Sequence, residues 1–284
     1  MVATGRTASA ATVASQTQAG AIGGSAGGGI GGEALRRRAK PGHRRKGRHR
    51  VLKRMALAGA AAVLLVAILG GVLFAVTPSA RSAPSKVVAI LASHHAPSDN
   101  GVVPQKVADA VLATEDSRFY SDPALDPQGT VRAAWGFVTA NPNLGGATIE
   151  VQLAKLLYTP GHSSPAALAE QVAMAFKLDN DFTKQQILAM YLNAAYFGDG
   201  SYGITAAALH YFGKSAAELT WGQAALLAGL LQAPSAYDPH THLSAALARR
   251  SHVFARLVAV GSLTAAQAQV DSAAPLDPAV TFSG

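Results

Sequence analysis

The sequence contains no cysteine, which excludes disulfides and any thiolate metal site. Aromatic residues are scarce at 6% and charged ones at 14%, so a cluster of either stands out. Acids are rarest near the N-terminus: residues 1–54 hold 12 Lys/Arg and one acid, Glu33, a balance of +11. Residues 77–284 hold 12 Lys/Arg and 15 acids, a balance of −3. The net charge of +8 thus belongs to one segment, and the rest is mildly acidic. That placement excludes a basic nucleic-acid-binding domain, and no nucleic acid is expected as a partner. Runs of alternating apolar and polar residues are missing, and no internal repeat occurs. A β-sheet domain and a repeat array are both disfavoured.

What is there begins with residues 1–33, almost wholly Ala, Gly, Ser and Thr, which cannot bury enough surface to offset ordering entropy. Arg36 to Arg54 then carries 11 Lys/Arg in 19 residues, and Met55–Val76 follows as 22 residues without a charge. At about 1.5 Å per residue this run spans about 33 Å, enough for a bilayer core. A signal peptide is the competing reading, but the apolar run is too long and starts too late. The excess of cations before the span predicts a cytoplasmic N-terminus and an extracytoplasmic domain at the cell membrane. The expected organisation is a disordered basic tail over 1–54, a transmembrane helix over 55–76, and a Pro/Ser/Ala-rich linker over 77–100. A domain over 101–272 and a flexible tail over 273–284 complete it.

Beyond the linker, apolar residues recur at helical spacing. Helices are predicted over Val103–Thr114, Val131–Val138, Thr148–Tyr158, Ala166–Leu178 after Ser164-Pro165, and Leu243 to about Val260. Three Thr-x-x-Gln patterns, Thr183/Gln186, Thr220/Gln223 and Thr264/Gln267, each predict a capping box at a helix start. The fold class is mainly α.

Three clusters carry chemistry. Glu115-Asp116 ends the first helix, followed by Ser117-Arg118-Phe119-Tyr120. Adjacent carboxylates beside an aromatic ring suit a general base with a raised pKa, though the pair taken alone reads better as a solvated helix end. Gly145-Gly146-Ala147-Thr148 enters a helix carrying Gln152 and Lys155. Amides at such a start can receive an anion, or the stretch is an ordinary helix start with a surface lysine. The third cluster is dense in aromatics and glycine: Tyr191-Leu192-Asn193, Tyr196-Phe197-Gly198, Tyr211-Phe212-Gly213 and Ala233–Pro239. These read as turns and helix contacts. His240 and His242, two apart with no third partner evident, read as loop residues rather than metal ligands.

Together these clusters resemble the peptidoglycan glycosyltransferase (transglycosylase) domain, glycosyltransferase family 51, over about Val103 to Ala268. Ala113–Tyr120 with Asp126-Pro127-Gln128-Gly129 and Arg132 resembles the first motif. Gly145–Ile149 through Gln152-Leu153-Ala154-Lys155 resembles the second. Thr183–Leu188 with Tyr191-Leu192-Asn193 matches the end of the third, and Ala233–Pro239 with Arg249-Arg250 completes the order. No Ser-x-x-Lys or Lys-Thr-Gly occurs, so a monofunctional enzyme without a penicillin-binding transpeptidase domain is expected. Trp135, Phe137 and Val138 fall where the family has a bilayer-touching segment, and equally read as helix core.

The resemblance implies a lysozyme-like helical domain that polymerises lipid II into glycan strands, with Glu115 as general base. It implies catalytic roles for Glu115, Asp116, and Glu170 or Gln171. Substrate contacts are implied at Phe119, Arg132, Thr148, Gln152, Lys155, Asn193 and Arg250, with phosphate at Arg132 and Lys155. A divalent metal (Mg or Mn) is implied as cofactor. The implied partners are lipid II, the nascent glycan chain, the membrane, and cell-wall synthesis proteins such as a separate transpeptidase. Departures occur in all three motifs, and in the first Asp122 and Ala124 stand where the family usually has His and Gly. Ala147 and Glu150 replace hydroxyl residues, and Ala167, Leu168 and Gln171 replace two cations and an acid. A lipid II-binding scaffold is therefore the alternative to an active polymerase.

Overall fold

The computed structural model describes residues 44–98, 101–122, 148–279 and 282. The chain divides into two compact units, Met1–Ala56 and Leu57–Gly284. Helix α1 runs Arg44–Val76. The basic segment is therefore helical from Arg44, not part of a disordered tail reaching residue 54. Lys and Arg are good helix formers, and the apolar helix that follows extends them. The side chains of α1 from Val51 to Leu69 stand exposed whether they are Leu, Val, Ile or Met. A helix apolar on every side needs an apolar surrounding. Among the described residues it is the one helix region long and apolar enough to cross a membrane.

The stretch expected as a linker is folded. A 3₁₀ turn, Ala80–Ser82, leads into α2, Ala83–Ser93, with a proline in its first turn. The Pro and Ser residues start this helix rather than interrupt it. Ala83, Val87 and Leu91, four apart, form its buried stripe and pack toward α6. Lys177 ties the end of α1 to the domain. Its Nζ donates to Thr77 O (2.7 Å) and Pro78 O (3.1 Å) and stands 4.7 Å from the Phe74 ring centroid.

The remaining helices are α3 (Gln105–Glu115), α4 (Ile149–Tyr158), α5 (Pro165–Asp181), α6 (Lys184–Ala194), α7 (Ile204–Phe212), α8 (Trp221–Leu230), α9 (Leu243–Ala259) and α10 (Ala265–Ala273). The helix expected over Val131–Val138 lies outside the described residues. No strand occurs among the described residues, only an isolated bridge between Tyr196 and Tyr202. The predicted capping boxes form at the starts of α6, α8 and α10, and Ser164 caps α5 by accepting from Ala167 N.

Helix α8 is buried from Gly222 to Leu230 and forms the centre, with α3 and α9 packed on it. A second group packs α4 on α5 and α6. Arg256 Nε donates to Ala113 O at 3.0 Å, which pins the last turns of α3 to α9. At Gly203, φ is +82°, and a Cβ would stand 3.1 Å from Leu91 Cδ2 and 3.2 Å from Asn193 O. Only glycine lets α2, α6 and α7 meet there. Within the C-terminal stretch expected to be flexible, described residues are docked. Gln223 Nε2 donates to Leu276 O (2.6 Å), Ala279 N donates to Tyr211 O (2.9 Å), and Phe282 packs against Tyr211 and Phe212. Two apolar side chains, Leu276 and Phe282, have surface to cover, and that holds the segment.

Candidate active site

Helix α3 ends at Glu115, and the backbone leaves helical geometry at Asp116 (φ −157°, ψ 78°). The two adjacent carboxylates take different partners. Glu115 Oε2 accepts from Gln152 Nε2 of α4 at 3.1 Å, and Gln152 Oε1 accepts from the Tyr191 hydroxyl of α6 at 2.8 Å. Tyr191 is buried, and burial, with the charge of Glu115 added, pushes its phenol well up, so it remains a protonated donor. On its other side Glu115 Oε1 lies 3.9 Å from Arg249 Nη2 of α9. Arg249 is 13% exposed, and its Nε is buried without a hydrogen-bond partner among the described residues. A Cβ at Gly229 would stand 2.9 Å from Arg249 Cγ, so glycine on α8 makes room for the arginine stem.

Asp116 turns to the start of α4, where its Oδ2 accepts from Ile149 N at 3.2 Å. That first-turn amide, which the Gly-Gly-Ala-Thr entry suggested for a substrate anion, is thus bonded to the protein's own carboxylate. A helix N-terminus favours a carboxylate by a fraction of a kcal/mol. Burial outweighs it: desolvation, opposed by the Ile149 bond and reinforced by the charge of Glu150, raises the Asp116 pKa from 3.8 to about 6. The raised carboxyl expected at this pair is therefore found at Asp116.

Glu150 is 1% exposed and paired with Lys184 at the start of α6, 2.5 Å away. Lys184 also reaches Asp179 at 2.9 Å, and its ammonium lies 4.9 Å from the Phe119 ring centroid. Burial opposes the lysine charge, but bonds to both carboxylates overcome it and raise the Lys184 pKa. The acid that departs from the family pattern is thus neutralised inside the protein. Phe119, expected at the substrate, is 2% exposed and belongs to the core beside this pair.

Of the other expected contacts, Thr148 caps α4, accepting from Val151 N at 3.4 Å. Lys155 is exposed, three residues beyond Gln152 and hence beside it on α4. Asn193 is buried and donates to Ala189 O within its own helix at 3.0 Å. Arg250 does not join the site: its Nη2 donates to Ser272 O at 3.0 Å, linking α9 to α10, and the arginine at Glu115 is its neighbour Arg249. One residue along a helix is about 100° of rotation, so only one of the pair can face Glu115. The same step separates Gln171 from Glu170. Gln171 is buried and donates to Thr159 Oγ1 at 2.8 Å, whereas Glu170 lines a groove of about 460 Å³ with Leu73, Val76, Tyr158 and His162. Arg132, Asp126, Trp135 and the Gly145–Ala147 entry lie outside the described residues.

Sequence reasoning missed the roles of Lys184, Tyr191 and Arg249. Each belonged to a quoted motif, but no spacing rule joins residues 34 to 134 positions away to Glu115 or Glu150. A divalent ion needs several converging donors. Among the described residues no three metal-donor side chains converge beside Glu115. The described residues therefore do not build a protein-only site for the expected Mg or Mn.

Comparison with known proteins agrees with the motif order. The transglycosylase family model matches residues 86–258. Penicillin-binding protein 1A of Haemophilus influenzae is 41% identical over 157 residues, 55% of this chain but 18% of that protein. A Cupriavidus necator protein bearing the name transglycosylase is 33% identical over 207 residues, 71% of this chain and 89% of its own length. The chain thus spans under a fifth of the penicillin-binding protein it matches and most of the smaller relative. The crystal structure of penicillin-binding protein 1A from Haemophilus influenzae aligns over 64% of this chain and 18% of its own, with 26% identity and a TM-score of 0.39. With the match extending through every described element from α2 to α9, the chain belongs to the transglycosylase family, the family of the peptidoglycan glycosyltransferase domain.

Proposed function

We propose that this protein is a membrane-anchored peptidoglycan glycosyltransferase that polymerises lipid II, with Glu115 as general base. The observation that carries the reading is Glu115 itself. Its carboxylate ends α3, is oriented by Gln152, and faces Arg249 at 3.9 Å. In the reaction Glu115 removes the proton from the 4-hydroxyl of one lipid-linked sugar. That oxygen attacks the anomeric carbon of the growing chain, the bond to the lipid pyrophosphate breaks, and the pyrophosphate leaves with the electron pair. The Gln152 amide holds one carboxylate oxygen and leaves the other for the acceptor. Cations must meet the charge that builds on the leaving group. Lys155, exposed beside Gln152, and Arg249 are the described candidates, and Arg132 is the family-implied one. A divalent metal enters the proposal only as a ligand of the pyrophosphate, and no step is routed through it.

The anchor suits this chemistry, because both substrates are lipid-linked and the cleft has to work at the bilayer surface. The proposed topology keeps the basic N-terminus in the cytoplasm and the domain outside. Lipid II and the nascent glycan are the proposed substrates, with a separate transpeptidase as a partner.

Purified full chain in detergent, incubated with lipid II, tests the reading. Polymer is expected from the wild-type chain and is lost in Glu115→Gln. If neither protein forms polymer while both bind lipid II, the scaffold reading replaces this one.

A further inference from the structure

We propose that Asp199, His210 and His240 form a binding site for one divalent transition metal, zinc by its donor set, that clamps three separate segments together. Asp199 comes from the turn after α6, His210 from the last turn of α7, and His240 from the loop before α9. One carboxylate oxygen and two imidazole nitrogens all lie within 4.8 Å of one another. His210 Nε2 and Asp199 Oδ2 are 2.8 Å apart, and the two imidazole centroids are 5.7 Å apart. Zinc bonds of about 2.0–2.2 Å in tetrahedral geometry set ligand atoms about 3.4 Å apart. Side-chain adjustments of about 1 Å therefore bring the three onto one ion.

The surroundings hold each ligand. The His240 ring stacks on Tyr211 (5.6 Å, 23°) and meets Phe282 edge-on at 5.3 Å, while its backbone N–H donates to Asp238 Oδ1 at 2.9 Å. Tyr211 is itself fixed, donating its hydroxyl to Phe197 O at 3.2 Å. Asp199 has φ +45°, a left-handed conformation that only a few per cent of non-glycine residues adopt. It sits between Gly198 and Gly200, and Ser201 N closes the turn on Gly198 O at 2.8 Å.

An ion pair accounts for Asp199 and His210, and the His240 imidazole adds a third donor atom within 4.8 Å of both. Two imidazoles with one carboxylate suit zinc and its transition-metal neighbours, whereas magnesium and calcium prefer oxygen ligands throughout. Three protein ligands leave the fourth position to water. His242, the partner that sequence spacing suggests for His240, is exposed and bonded to Thr241 Oγ1 at 2.8 Å instead. None of the residues around Glu115 takes part, so the clamp stands or falls independently of the glycosyltransferase reading.

The test uses the full chain without an affinity tag, in detergent micelles, stripped by a chelator and titrated with zinc and with cobalt(II). One equivalent of zinc per chain is expected, with a rise in Tm and the visible bands of tetrahedral cobalt. Asp199→Asn, His210→Ala and His240→Ala each weaken zinc binding at least about tenfold and remove the Tm rise. His242→Ala leaves both unchanged. If His240→Ala does not fold, His240→Gln, which keeps a planar polar group against Tyr211, reads the same loss. Absence of stoichiometric zinc, or zinc binding that survives loss of His240 or disappears with loss of His242, overturns the proposal.

Discussion

Gln152 donates its side-chain amide to the Glu115 carboxylate across 3.1 Å, joining the first turns of α4 to the end of α3. The other end of the same amide accepts from the buried Tyr191 hydroxyl, so the orientation of Glu115 is set three helices deep. Replacing Tyr191 by Phe leaves the Gln152 amide without its anchor. A fall in lipid II turnover of about three- to tenfold is expected, in kcat rather than KM, from a lost bond of about 1 kcal/mol. Gln152→Leu removes the contact to Glu115 itself and lowers kcat by more. Polymerisation rates at saturating and limiting lipid II check both, and a change confined to KM would count against orientation.

The neighbouring Asp116 makes stability depend on pH. Its folded pKa of about 6 lies above the ordinary 3.8, so between these values the folded state keeps a proton the unfolded state has lost. The stabilisation from this group is fully present below about pH 4 and is lost as pH rises through about 6. A loss of about 1 kcal/mol is expected, the partial exposure of the carboxyl reducing the full linkage value. Thermal melts over this interval check it, and Asp116→Asn removes the slope.

The Glu150–Lys184 pair predicts asymmetric costs. Lys184→Met strands a carboxylate that is 1% exposed and is expected to lower stability by about 3 kcal/mol. Glu150→Gln together with Lys184→Met recovers most of that loss, because no buried charge remains. Urea unfolding of the two variants separates them. Lys184 also lowers the Asp116 pKa, so the single variant shifts the Asp116 titration upward.

Arg249 and Arg250 are expected to fail differently. Arg249→Gln removes the cation beside Glu115 and lowers turnover by about tenfold with little change in Tm. Arg250→Gln breaks the bond to Ser272 O and lowers stability by about 1 kcal/mol with kcat retained. Parallel kinetics and melts on the two variants check the assignment.

Gly203→Ala is expected to destabilise by about 1–3 kcal/mol, since the backbone is left-handed there and the new methyl meets Leu91 and Asn193 O. A lowered Tm with normal turnover well below it is the expected result.

What the sequence determined by itself follows from local rules. Helical periodicity, three Thr-x-x-Gln boxes and a 22-residue uncharged run each depend on neighbours a few positions apart; the three boxes formed where expected, and the uncharged run lies in a helix that begins earlier, at Arg44. The order of motifs around Glu115 was legible for the same reason and identified the family. Local rules also misled. Pro and Ser over 77–85 read as a linker although they start α2, and the last residues read as a tail although Leu276 and Phe282 dock. Tertiary structure alone decided which of two adjacent residues faces a site: Arg249 rather than Arg250, Glu170 rather than Gln171 at the groove. It also decided that Glu150 is neutralised by Lys184, and that His240 meets His210 and Asp199 rather than His242. The physical reason is rotation and distance. A helix turns about 100° per residue, so the face each side chain presents depends on how helices distant in sequence pack, and no pattern of near neighbours contains that angle.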